Sequence, residues 1–140
     1  MVEARAPGHD APARPDDETL RALLRRYVQA WETGAPERFA SLLREDALLT
    51  MPPIPSWFRG ARAIASFVAW IHANAGELRF LETEAAGTLA VAAYVRARAE
   101  ATFHANGIHV VRWDGDRVAH TDAFMIPHAF ARFGLPDEIT

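Results

Sequence analysis

The stretch Gly107-Ile108-His109-Val110-Val111-Arg112-Trp113-Asp114-Gly115-Asp116-Arg117-Val118-Ala119-His120-Thr121-Asp122-Ala123-Phe124 decides the fold. Two runs rich in β-branched and aromatic residues flank Asp114-Gly115, a dipeptide that suits the tight turn of a β-hairpin. The period of two extends back to Leu78 and predicts strands over 78–84, 88–98, 101–113 and 117–126. Ahead of Leu78 the period is helical. Asp16 or Asp17 caps a first helix whose apolar residues Leu20, Leu23, Leu24, Tyr27, Val28 and Trp31 recur in steps of three and four, ending near Gly34. A second helix, Pro36 to Arg44, opens with Pro at a first-turn position and buries Phe39, Leu42 and Leu43. Ala47 to Met51 reads as a short strand, stopped by a loop holding Pro52, Pro53 and Pro55. Ala61 to Ala73 is a third helix, with Ile64, Phe67, Val68 and Ile71 on one face. Helices first and strands afterwards predict an α+β fold in which a curved antiparallel sheet wraps three N-terminal helices and leaves a pocket at its open end.

A chain of 140 residues, 50% hydrophobic and 24% charged, suits one globular domain, expected over 16–140. Residues 1–15, with Pro7, Gly8, Pro12 and Pro15 and no apolar period, read as a flexible tail. The net charge is -3, with 15 basic residues scattered among 18 acidic ones, so no basic stripe exists for nucleic acid. No window holds the ~20 apolar residues of a membrane helix. Val2 to Arg14 also lacks the apolar centre of a signal peptide, so the expected location is cytoplasmic, with no membrane partner. With no cysteine, thiolate nucleophiles and disulfides are excluded. All 15 basic residues are Arg, which removes Schiff-base chemistry and a P-loop lysine.

Three further stretches carry a family resemblance, which runs from about residue 18 to residue 139. They are Arg26-Tyr27-Val28-Gln29-Ala30-Trp31-Glu32-Thr33-Gly34, the segment from Glu45-Asp46-Ala47 through Met51-Pro52-Pro53-Ile54-Pro55-Ser56-Trp57-Phe58-Arg59-Gly60, and Phe130-Ala131-Arg132-Phe133-Gly134-Leu135-Pro136. The chain resembles the SnoaL-like branch of the nuclear transport factor two-like superfamily, which implies a cone-shaped α+β barrel. Its motifs are most similar to the carboxy-terminal domain appended to certain actinobacterial extracytoplasmic-function sigma factors. The sigma-factor DNA-binding regions are absent from this sequence, so the expectation is a domain standing alone. A weaker resemblance to ketosteroid isomerases implies an oxyanion donor at Tyr27 and a second donor at His109, with Met51 where those enzymes carry a carboxylate base. Limonene-epoxide-hydrolase-like members resemble it too; their late-strand aspartate falls on His109 and their final-strand aspartate near Asp122 or Ala123.

His109 alternates with Val111 and Trp113, so the three share a face, and an imidazole there could give or take a proton. The bland alternative is a structural histidine bonded to a backbone carbonyl. Tyr27 is the lone phenol on an apolar helix face, either a packed core residue or a donor at a pocket wall. His120 and Asp122 alternate on the last strand, an arrangement that recurs in acid/base sites. The parity that turns Thr121, Ala123 and Met125 inward would turn that pair outward. Trp57 and Phe58 follow the prolines as a lid or as an edge plug. With Trp31, Met51, Tyr94, Val111, Trp113 and Thr121 they make up the expected substrate-binding set. His104, His109, His120 and His128 lack ligand spacing, so no metal is expected, and no phosphate or nucleotide motif implies a cofactor.

Two functions fit these residues. One is a small cofactor-free enzyme that isomerises, cyclises or opens an apolar carbonyl- or epoxide-bearing metabolite, with His109, Tyr27 and Asp122 as catalytic groups. The other is a ligand-sensing or protein-interaction module without turnover. A homodimer is expected from an apolar outer sheet face bearing Tyr94, Val110 and Phe124.

Overall fold

Asp16 accepts a hydrogen bond from the Thr19 N–H at 2.8 Å, which satisfies one free donor of the first turn and starts α1 (Asp17–Thr33). Gly34 ends it at φ +70°, a left-handed conformation open to glycine at little cost. This computed structural model describes residues 16–140; the expected tail, 1–15, lies outside the described residues. Steps of three and four along α1 put Leu23, Leu24, Tyr27, Ala30 and Trp31 on one buried face, which packs on the sheet.

The second helix is shorter than its sequence suggests. α2 spans Pro36–Ala40, and Leu43 already belongs to β1 (Leu43–Met51), where it pairs with Val118. Leu42 and Leu43 are buried as expected, but strand pairing rather than a helix buries Leu43. The prolines also do less than expected. Pro52 and Pro53 make the turn, and Ile54–Arg59 then forms β2, with Pro55 inside it. A proline is tolerated there because β2 is an edge strand and need not donate outward. After α3 (Ala61–Asn74) come β3 (Glu77–Ala85), β4 (Thr88–Arg96), β5 (Phe103–Asp114) and β6 (Arg117–Phe124). A 3-10 helix (Pro127–Phe133) and β7 (Glu138–Ile139) follow where the sequence suggested no element.

The strand order is β2-β1-β6-β5-β4-β3, with β7 on the first residues of β5. The architecture is the expected mixture of helices and a curved sheet, but the sheet does not close and β1 pairs with β6 in parallel. Of the described residues, no helix is long and apolar enough to cross a membrane.

Alternation gives the sheet two apolar faces, and each has its own cover. The inner face (Leu49, Phe80, Val91, Val111, Trp113, Ala123) packs on the helices. The outer face of β4 and β5 (Ala92, Tyr94, Ile108, Val110) packs beneath Phe130, Leu135 and Ile139 of the chain's own last segment. Tyr94 and Phe130 are each 0% exposed, and each such side chain contributes roughly 1.5–3 kcal/mol by leaving water. The apolar patch expected to recruit a second copy is thus already covered, and that reason for a homodimer falls.

Candidate functional site

β5 delivers the polar centre of the inner face. Its alternation turns His109 inward beside Val111 and Trp113, and α1 brings Tyr27 and Trp31, four residues apart, over it. The His109 ring lies 5.3 Å from Trp31, 5.3 Å from Phe80 and 6.0 Å from Tyr27, edge to face with each. The Tyr27 hydroxyl and His109 Nδ1 are 2.8 Å apart, a buried hydrogen bond. Enclosure by apolar rings disfavours every charged form. It pushes His109 down from 6.5 to about 3 and raises Tyr27 above its usual 10. Both groups are therefore neutral at physiological pH.

His109 also faces a cavity of about 270 Å³. Leu49 and Met51 of β1, Phe67 and Ile71 of α3, and Ala123 and Met125 of β6 supply much of its wall. Trp31 closes it on the α1 side, Asn106 adds an amide, and among the described residues no carboxylate lines it. Asn106 has the wrong parity to accompany His109, which is why strand alternation overlooks it. Gly107 pairs with Ala93 and Ala105 with Tyr94, so Asn106 is the extra residue of a bulge that re-aims its side chain. An Asn-Gly pair inside an apolar strand was the available signal.

Of the expected site residues, His109, Trp31 and Met51 line the cavity. Tyr27 stands behind His109 instead of at the wall, and Thr121 lies buried near its hydroxyl. Val111 and Trp113 are buried further along the inner core. Phe58 is part-buried and stacks on Phe67 at 4.2 Å, one step removed from the cavity. Trp57, its neighbour on β2, points the other way and is 61% exposed, so the two do not act together as a lid. Tyr94 belongs to the outer cluster, where its hydroxyl donates to the Pro136 carbonyl at 2.7 Å.

Asp122 is also outside, by the parity of β6. It accepts from Thr50 of β1, from Arg112 of β5 and from His120. The His120 bond, with help from Thr50 and Arg112, holds this carboxyl far below the usual range against the opposing effect of burial. His109 pairs across the sheet with Ala123 while His120 pairs with Arg112, so the two histidines occupy opposite faces. Among the described residues no three His, Asp or Glu side chains gather as metal ligands would.

Comparison with known proteins accounts for this layout. The description of the SnoaL-like domain matches residues 24–121. The chain belongs to the SnoaL-like domain family. This SnoaL-like domain is 34% identical over 145 aligned residues to the ECF RNA polymerase sigma factor SigG of Mycobacterium tuberculosis. The alignment covers 99% of the domain but 38% of that relative, so the chain spans about two-fifths of the relative's length. Among solved structures, a putative ketosteroid isomerase from Kribbella flavida superposes with a TM-score of 0.61 at 22% identity, covering 77% of this chain and 78% of that one. An LEH-like epoxide hydrolase of M. tuberculosis gives a TM-score of 0.61 at 14% identity over 79% and 85% of the two chains. A de novo designed protein with a curved β-sheet gives 0.65 at 14% identity, over 86% and 95%. Since a designed sheet fits as well as two named for catalysis, these superpositions speak for the fold and not for an activity.

Proposed function

We propose that this SnoaL-like domain binds a small, largely apolar molecule in the His109 cavity and holds it without turning it over. The observation that carries this reading is a cavity of apolar walls whose inner polar group is a neutral, buried imidazole, with no lining carboxylate among the described residues. Isomerisation through an enolate, or opening of an epoxide by water, needs a base of suitable strength next to the reacting atom. An imidazole whose conjugate acid has a pKa of about 3 is a weak one, because burial makes its protonated form costly. Met51 fills the position that the isomerase resemblance reserves for a carboxylate. Apolar walls with a few convergent polar groups are the usual make-up of a small-molecule site. Similarity over the whole chain to part of a sigma factor supports sensing over metabolism.

The test is incubation of the purified protein with terpenoid-sized ketones, enones and epoxides, following tryptophan fluorescence for binding and mass spectrometry for product. Saturable quenching without product above background is expected. Product formation that His109→Gln abolishes would overturn the binding reading in favour of an acid/base enzyme. No binding by any of these molecules would overturn it as well.

A further inference from the structure

The Tyr27 hydroxyl has one proton to give, and the direction in which it gives it decides what His109 offers the cavity. If Tyr27 donates to Nδ1, the neutral imidazole carries its proton on Nε2. If His109 donates from Nδ1, Nε2 is a bare lone pair. Nε2 takes no hydrogen-bond partner among the described residues, and the ring forms part of the cavity wall. The tautomer therefore sets the chemistry of the site.

The acidity of the two donors decides between the two. Of the two neutral groups the phenol is by far the stronger acid, with an ordinary pKa of about 10, so its O–H is the better donor and the imidazole lone pair the better acceptor. A His109 Nδ1–H aimed at the phenol oxygen would leave the Tyr27 proton without the one side-chain acceptor at hydrogen-bond distance among the described residues. With Tyr27 donating to Nδ1 at 2.8 Å, the phenol proton has its acceptor and Nδ1 its donor. We infer that the Tyr27–His109 pair presents an N–H at the inner end of the cavity, so the ligand's inner group is a hydrogen-bond acceptor such as a ketone, ester, ether or epoxide oxygen. Tyr27 is then a positioning residue, acting through His109 rather than on the ligand. This inference rests on the ligand-binding reading for its choice of ligand class, but the tautomer stands on the geometry of the two side chains and the acidity of their donors.

Two measurements on the full chain test it. In ¹⁵N-labelled protein at neutral pH, His109 should show a protonated Nε2 and an unprotonated Nδ1 by two-bond ¹⁵N–¹H correlation. Tyr27→Phe, which keeps the ring and removes the proton, should relax that preference. Three bicyclic probes of nearly one shape read the ligand class: 1-indanone accepts, indane does neither, and indole only donates. Indanone should bind about three- to tenfold tighter than indane, the share of one hydrogen bond, and indole no tighter than indane. A protonated Nδ1 in the unsubstituted protein overturns the inference whatever binds, so failure of the variant to fold does not shield it. Indole binding tighter than indanone overturns the acceptor class. A protonated Nε2 with no probe bound sustains the donor and counts instead against ligand binding.

Discussion

Each face of the sheet carries a histidine bonded to an oxygen, and the two pairs differ in almost every consequence. Inside, His109 meets the Tyr27 hydroxyl among aromatic rings, and burial keeps both partners neutral. Outside, His120 meets the Asp122 carboxylate at 2.8 Å, with Arg112 and Thr50 on the same oxygens and solvent at hand, and Asp122 is held ionised. The partner alone does not explain this. Water and the Arg112 guanidinium let the outer site keep a carboxylate, while the inner one has neither. The inner pair suits hydrogen bonding to a neutral ligand, whereas the outer pair ties together β1, β5 and β6. A sequence motif of histidine near an acid thus marks the structural site here, and a histidine near a phenol marks the cavity.

The comparison also extends to what covers each face, and the largest effect should come from removing a cover. Phe130 is 0% exposed and packs edge-on against Tyr94 at 5.3 Å. Phe130→Ala should cost about 3–5 kcal/mol, the range for truncating a fully buried aromatic, measured by urea unfolding. The same variant should retain cavity binding, because the outer cluster is separated from the inner one by the sheet itself. A loss below about 1 kcal/mol would mean that the last segment is an ornament and that the outer face is open for a partner.

Acid should distinguish the two histidine pairs next. His109 has its folded pKa lowered to about 3 from 6.5, so between those values the unfolded chain binds a proton that the folded one refuses. Stability therefore rises with pH in that window and falls as pH drops from about 6.5 toward 3, by up to ~1.4 kcal/mol per pH unit. Asp122 is also lowered, from 3.8, so its contribution is present above that value and is lost only below it. Both groups destabilise the fold in acid, but in different windows. His109→Gln should flatten the slope of urea midpoints between pH 6 and 4.5, and Asp122→Asn should leave that slope unchanged. An unchanged slope in His109→Gln would show that its imidazole titrates normally and that the cavity is wet.

The inner half of this arrangement was more legible in the sequence than the outer half. Period-3.6 spacing from Leu20 to Trp31 fixed which face of α1 is buried, and period-2 spacing around His109 fixed its side of β5. The parity of Thr121, Ala123 and Met125 likewise turned Asp122 away from the cavity. Alternation says which residues share a face, but not what lies over that face. Tyr94 was therefore assigned to the pocket and to an open outer surface, when residues far along the chain, Phe130, Leu135 and Ile139, cover it. Asn106 escaped because a bulge breaks the parity rule at one residue, and the Asn106-Gly107 pair that signals it reads as readily as a turn. For Tyr27 the sequence leaves packed core and donor at the wall both open, because a period gives direction, not depth. Only the packed rings put His109 between it and the cavity.

The smallest effect sharpens the same contrast at two adjacent residues of β2. Trp57 pairs with Thr50 on the outer side and is 61% exposed, while Phe58 turns inward and stacks on Phe67, which lines the cavity. Loss of a part-buried stacked ring in Phe58→Ala should cost about 1–3 kcal/mol and weaken probe binding through a loosened Phe67. Trp57→Ala removes a larger ring, yet it gives up little burial and at most one cross-strand contact, so its cost should stay below about 1 kcal/mol. Urea midpoints for stability and quenching of the remaining tryptophans by 1-indanone for binding would check both. If β2 instead swung over the cavity as a lid when a ligand binds, Trp57→Ala would leave stability alone and still weaken binding severalfold. That result would erase the separation of inner and outer faces at this edge, because a side chain now in solvent would then belong to the site.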